Sequence, residues 1–74
     1  MMKLKVESVR YQAGYTKQQD FIDVINDKLE QNGTQKKLSV KTYQNRLNNP
    51  SLWRIDECNA IAEVTGIPIE MIDF

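Results

Sequence analysis

Apolar residues recur at intervals of three and four along most of this chain, the spacing of amphipathic helices rather than strands. Phe21, Ile22, Ile25 and Leu29 form one such stripe, and Val40, Tyr43 and Leu47 form another. A further stripe combines Ile55, Cys58, Ile61, Ala62 and Thr65. The opening segment is ambiguous. Val6, Val9, Arg10 and Ala13 share a helical face, while Leu4 and Val6 alternate with lysines as in an edge strand. A helix ending at Gly14 is expected there, with residues 3–7 open to either state.

Punctuation between the stripes sets the boundaries. Thr16 and Gln19 have capping-box spacing, so a second helix is expected to open at Thr16 and to stop at Asn32-Gly33. Ser39 reads as the N-cap of a third, with Leu38 before it and Tyr43 inside it in the arrangement of a hydrophobic staple. Asn49-Pro50 ends that helix, because the residue before proline is pushed out of helical angles. A fourth carries Asp56 and Glu57 at its positive N-terminal end and closes at Gly66. Pro68 opens a last short helix with Ile69 and Ile72 facing the same way. The expectation is an all-α domain of four or five short helices filling residues 1–74.

Composition limits the function classes. Apolar residues at 41% and charged residues at 27% are close to globular averages, which excludes a disordered chain. No apolar run approaches the roughly 20 residues of a membrane helix, and no signal core follows Lys3 and Lys5, so a soluble, unexported, cytoplasmic protein is expected. One cysteine and no histidine exclude a disulfide scaffold and a zinc finger. The same inventory, without a glycine-rich loop, leaves no nucleophile-and-base pair to assemble, and no catalytic residue, metal or cofactor is expected. Cys58 reads as a small core residue, the alternative being a reactive thiol.

Net charge is zero, yet the charges are segregated. Residues 1–30 are balanced, residues 31–55 carry five bases and no acid, and residues 56–74 carry five acids and no base. The middle third, with Lys36, Lys37, Lys41, Arg46 and Arg54, therefore reads as a phosphate-facing segment, against the alternative of solvated charges arranged by chance. Within it the outward stripe of the third helix is Lys41, Gln44, Asn45 and Asn48, with Thr42 beside it. Asn and Gln can bond an adenine edge with both amide groups, Lys reaches guanine acceptors, and Thr offers a hydroxyl or a methyl. An ordinary exposed helix face would include glutamates, and here there are none.

Several segments also resemble a known family. The run Asn49-Pro50-Ser51-Leu52, then Ile55, Cys58, Ile61-Ala62, Gly66-Ile67-Pro68-Ile69 and Met71-Ile72, is similar to the closing helices of the lambda-repressor-like helix-turn-helix proteins, the XRE group that includes Cro. Gly14-Tyr15-Thr16 with Gln18 resembles that family's entry into its second helix. The resemblance covers about residues 6–72. It implies that Lys17, Gln18 and Gln19 lie near a DNA phosphate, that the recognition helix occupies about residues 39–48 from Ser39, and that Asn48 and Asn49 contact the backbone. Residues 27–37 read as an insertion into the family's turn of roughly 3 or 4 residues.

The expected function is that of a sequence-specific binder of double-stranded DNA, a phage or prophage-type transcriptional regulator in the bacterial nucleoid, with no small-molecule ligand evident. A small chain reads few bases, so a homodimer is expected, with Trp53 or Phe74 at its contact unless Trp53 and Ile72 simply complete the core. The rival reading is a helical protein-interaction module acting through the acidic C-terminal helices and Trp53.

Overall fold

A computed structural model describes residues 2–74. The ambiguity at the start resolves into both states. Strand β1 (Leu4–Lys5) passes directly into helix α1 (Val6–Gln12), so the alternation and the helical face are each real over their own few residues. Strand β2 (Ile72–Asp73) lies parallel to β1, pairing Leu4 with Ile72 and Lys5 with Asp73. Ile72 is thus a buried strand residue and not part of a last helix with Ile69, which belongs to a single 3-10 turn over Ile69–Met71. The open backbone edge of β1 needs partners, and the chain end supplies them.

Helix α2 (Gln18–Gln31) is the longest, and its stripe Phe21, Ile22, Ile25 and Leu29 is buried as the spacing required. Its start corrects the expected capping box. The residue before the helix is Lys17, no side chain caps it, and the Gln19 amide donates instead to Asp23 Oδ1 at 2.8 Å. The Gln18 side chain is held by Glu7, 3.0 Å away, and a contact across the fold positions this end where a local cap was expected. Gly33, at φ +87°, ends the helix in the left-handed region that favours glycine.

Helix α3 (Val40–Asn48) starts as expected, with Ser39 Oγ accepting from Thr42 N at 3.1 Å. Just before it, the Asn26 side chain binds both backbone groups of Leu38, donating to the carbonyl at 2.9 Å and accepting from the amide at 2.8 Å. Those two bonds close residues 27–37 into an excursion and set where α3 departs from α2. Replacing Ser39 by Ala should cost about 1 kcal/mol of stability, since first-turn amides lose their acceptor. Urea unfolding reads this, and an unchanged midpoint would remove Ser39 as the start of α3.

Helix α4 (Ile55–Thr65) follows a 3-10 turn over Pro50–Leu52. Its buried face is rotated from the expected one. Glu57, Cys58, Ala60 and Ile61 are buried, whereas Ile55 is 79% exposed. The cause is electrostatic: Glu57 turns inward to accept from Arg46 Nε at 2.7 Å and from the Arg54 amide at 2.9 Å, and Ile55 is thereby turned out. The result is a bundle in which α1, α2, α3 and α4 share one core of Val9, Phe21, Ile22, Ile25, Tyr43 and Ile61, all sealed from solvent. No helix among the described residues is long and apolar enough to cross a membrane.

Candidate nucleic-acid interface

The rotation of α3 is set by Tyr43. Its ring is fully buried, edge-on to Phe21 at 6.1 Å and to Trp53 at 5.9 Å. With about 100° of rotation per residue, Gln44, Asn48, Lys41 and Asn45 then fall roughly 100° to 200° away, on the opposite side. All four are exposed. Nine residues give the helix a length of about 13 Å, comparable with the roughly 12 Å width of the major groove.

A polar network behind the helix fixes it against α1 and α2. The Glu7 carboxylate accepts from Arg10 Nε at 2.9 Å, from Arg10 Nη2 at 3.0 Å, from Gln18 Nε2 at 3.0 Å and from the Tyr43 hydroxyl at 2.7 Å. Partial burial pushes the Glu7 carboxyl up, but the hydrogen bonds from Arg10, Gln18 and Tyr43 and the charge of Arg10 outweigh it, leaving its pKa below the ordinary carboxylate value. Burial, and after it the bond to Glu7, raise the Tyr43 hydroxyl well above the usual phenol range, so it remains a donor. Arg10 is 3% exposed and gives its remaining guanidinium arm to the Tyr15 carbonyl at 2.8 Å.

The network reaches the outer surface through Gln18, whose Oε1 accepts from Gln44 Nε2 at 3.1 Å. That bond holds the first residue of α2 against the second position of α3's outward stripe. An amide nitrogen carries two hydrogens, so Gln44 retains one N–H and its Oε1 for a ligand. One donor beside one acceptor is the pattern an adenine edge complements.

The remaining expected contacts fall into groups. Lys17 and Gln19 are exposed beside Gln18, although Gln19 is tied to Asp23. Thr42 accepts from the Ser39 hydroxyl at 2.9 Å, so both hydroxyls serve the start of α3. Asn49 follows the helix and accepts from Ser51 at 3.0 Å. Lys36 and Lys37 are exposed but sit in the excursion. Lys37 lines a shallow depression with Glu30, Gly33, Thr34 and Gln35, about 18 Å along α2 from Gln18. Arg46 is drawn inward by Glu57 and adds nothing to the outward charge, and Arg54 lies 3.4 Å from Asp56. Trp53 and Phe74 are half-buried and stack edge to face at 5.9 Å, extending the aromatic series Tyr15, Phe21 and Tyr43 to the end of the chain.

Glu7, Arg10, Asn26 and Glu57 are the organising residues that sequence reasoning did not single out. Arg10 on an otherwise apolar face of α1 was the available signal, because a buried guanidinium requires an acid. Cys58 is buried, and burial, then the charges of Glu57 and Asp56, push its thiol up to about 11. It is a packing residue at neutral pH. Comparison with protein families, with characterised proteins and with solved structures finds no match, so the functional reading rests on the chain's own residues.

Proposed function

We propose that this chain binds double-stranded DNA in a sequence-specific manner and regulates transcription by occupying its site, with α3 in the major groove and the start of α2 across the backbone. The observation that carries the reading is the Gln18–Gln44 bond, which fixes an acid-free stripe of amide and lysine side chains on a helix of groove-fitting length. The resemblance to the lambda-repressor-like regulators supports the same orientation, and with it a phage or prophage regulator acting in the bacterial cytoplasm. The rival interaction module has less to stand on. Of the five acids it would use, Asp56, Glu57 and Glu63 are engaged by Arg54, Arg46 and Lys28 of the same chain.

Selection of duplexes from a random pool, followed by fluorescence anisotropy over a range of salt, tests the proposal. Affinity should fall steeply as salt rises, as counterions are released from the phosphates. Gln44→Ala should weaken the selected site by about 1 to 3 kcal/mol and leave random duplex nearly unchanged. Equal losses on both would mean that Gln44 reads no base. Lys41→Ala should weaken both duplexes alike if it meets a phosphate, flattening the salt slope by about one unit. A loss confined to the selected site would instead make Lys41 a base reader. Absence of duplex binding at low salt overturns the proposal.

A further inference from the structure

Beside the Glu7 network lies a partly open cleft of about 140 Å³ that takes no part in the proposed DNA contact. Separate stretches of chain build it: Lys5 of β1, Val6 of α1, Leu47 of α3, Pro50 and Trp53 between α3 and α4, and Asp73 of β2. No local motif could have marked it in the sequence. Val6, Leu47, Pro50 and Trp53 make its surface mainly apolar. Trp53 is braced by Tyr43 and Phe74, each with its ring centroid 5.9 Å away, so that wall is fixed before anything enters. The volume is close to the roughly 150 Å³ of an apolar cavity that takes up benzene.

The charged groups around the cleft divide into one that is engaged and two that are not. Glu7 lines it, but its carboxylate is taken by Arg10, Gln18 and Tyr43. Lys5 and Asp73 are both exposed, and they are register partners in the β1–β2 ladder. Among the described residues neither forms an ion pair. Adjacent strands stand about 4.8 Å apart, so a cationic and an anionic residue are presented side by side at the edge of an apolar cleft. Exposed charges attract each other too weakly in water to resist a competing ligand.

We infer that this cleft binds a free α-amino acid whose apolar side chain is about the size of a phenyl ring. The ligand's carboxylate meets the Lys5 ammonium, its ammonium meets the Asp73 carboxylate, and its side chain enters among Val6, Leu47, Pro50 and Trp53. Both ligand charges branch from one carbon, which suits two charged residues held one strand spacing apart. A simple acid would bring its carboxylate up to Asp73, and a simple amine its ammonium up to Lys5, so each exchanges one attraction for a repulsion. Inside a peptide chain the same two groups are tied up in amide bonds and the match is lost. None of these residues belongs to the outward stripe of α3, so the site stands whether or not the chain binds DNA.

Trp53 is the single tryptophan, so its fluorescence reports occupancy directly. Titration of the full chain with L-phenylalanine, excited where only tryptophan absorbs, should give a saturable change with a dissociation constant of about 1 mM, as befits a small ligand in an open cleft. Lys5→Gln and Asp73→Asn keep the backbone pairing and change exposed side chains only, so circular dichroism should match the natural chain. Each should bind L-phenylalanine about tenfold more weakly, through loss of a charge-assisted bond. Phenethylamine, which lacks the carboxylate, and 3-phenylpropanoate, which lacks the ammonium, should be weakened as much on the natural chain. Glycine, with both charges and no side chain, should leave the signal unchanged. Absence of a saturable change with L-phenylalanine up to about 20 mM overturns the site. Unchanged affinity in either charge variant, an analogue that binds as tightly as the amino acid, or an equal response to glycine overturns the amino-acid assignment.

Discussion

Phe21→Ala should destabilise the protein by about 3 to 5 kcal/mol, the cost of a fully buried ring that the surroundings cannot refill. Phe21 is 0% exposed, with the Tyr15 ring tilted against it at 5.5 Å and Tyr43 edge-on at 6.1 Å. Both neighbours do other work. Tyr43 sets the rotation of α3, and the Tyr15 carbonyl holds one arm of Arg10. A domain of this size has a total stability of about 4 to 11 kcal/mol, so the loss removes much of it. Urea unfolding followed by circular dichroism measures the change, with Phe21→Leu, costing about 1 to 2 kcal/mol, as the volume-sparing control. A loss of 1 kcal/mol or less for Phe21→Ala would mean that α2 and α3 are not held together through this ring, and the stripe on α3 would then have no fixed orientation.

What the sequence could and could not disclose follows the range of the interactions. The stripes of α2 and α3, the Ser39 cap and the stop at Gly33 are local, each written within one or two turns of chain, and each is found in place. Charge segregation was legible as a pattern but not as geometry. Arg46 counted among the outward bases until Glu57, 11 residues on, proved to be its partner, and that pair rotates α4 far enough to turn Ile55 out. The Thr16 to Gln19 spacing misplaced the start of α2 because Gln18 answers to Glu7, 11 residues earlier. A two-residue ladder has no period to read, which is why Ile72 looked like one more helical position.

The candidate site shows the same division. The stripe of Lys41, Gln44, Asn45 and Asn48 follows from helical spacing around Tyr43, and sequence alone supplies it. The bond that makes Gln44 part of a larger surface spans 26 residues and depends on a carboxylate no motif marks. The lysines divide too. Lys41 stands on the stripe, while Lys37 belongs to the excursion that Asn26 closes at its base. Arg46 and Arg54 are paired with Glu57 and Asp56, so the run of bases in the sequence carries less unpaired charge than its count suggests.

Glu7→Ala should therefore damage fold and site together. It removes the acceptor of four hydrogen bonds and leaves Arg10, 3% exposed, with the Tyr15 carbonyl and the face of the Tyr11 ring to hold its charge. Stranding one partner of a fully buried ion pair costs about 3 to 5 kcal/mol, and since the Glu7 side chain is 36% exposed the expected loss is lower, about 2 to 3 kcal/mol. The pH dependence identifies the cause. Folding lowers the Glu7 pKa below its ordinary value of 4.5, so its ionised form stabilises the native state above that value, and the contribution fades as pH falls through the lower folded value. Urea midpoints should accordingly differ most between the natural chain and Glu7→Ala near neutral pH and draw together below about pH 4.5. Glu7→Gln, which keeps the shape and an acceptor but not the charge, should fall between them at neutral pH. A gap that stays constant down to pH 3 would assign the loss to packing alone. With the network gone, Gln18 no longer anchors Gln44, and the variant should also lose preference for its selected duplex at temperatures where circular dichroism still reports a folded helix bundle.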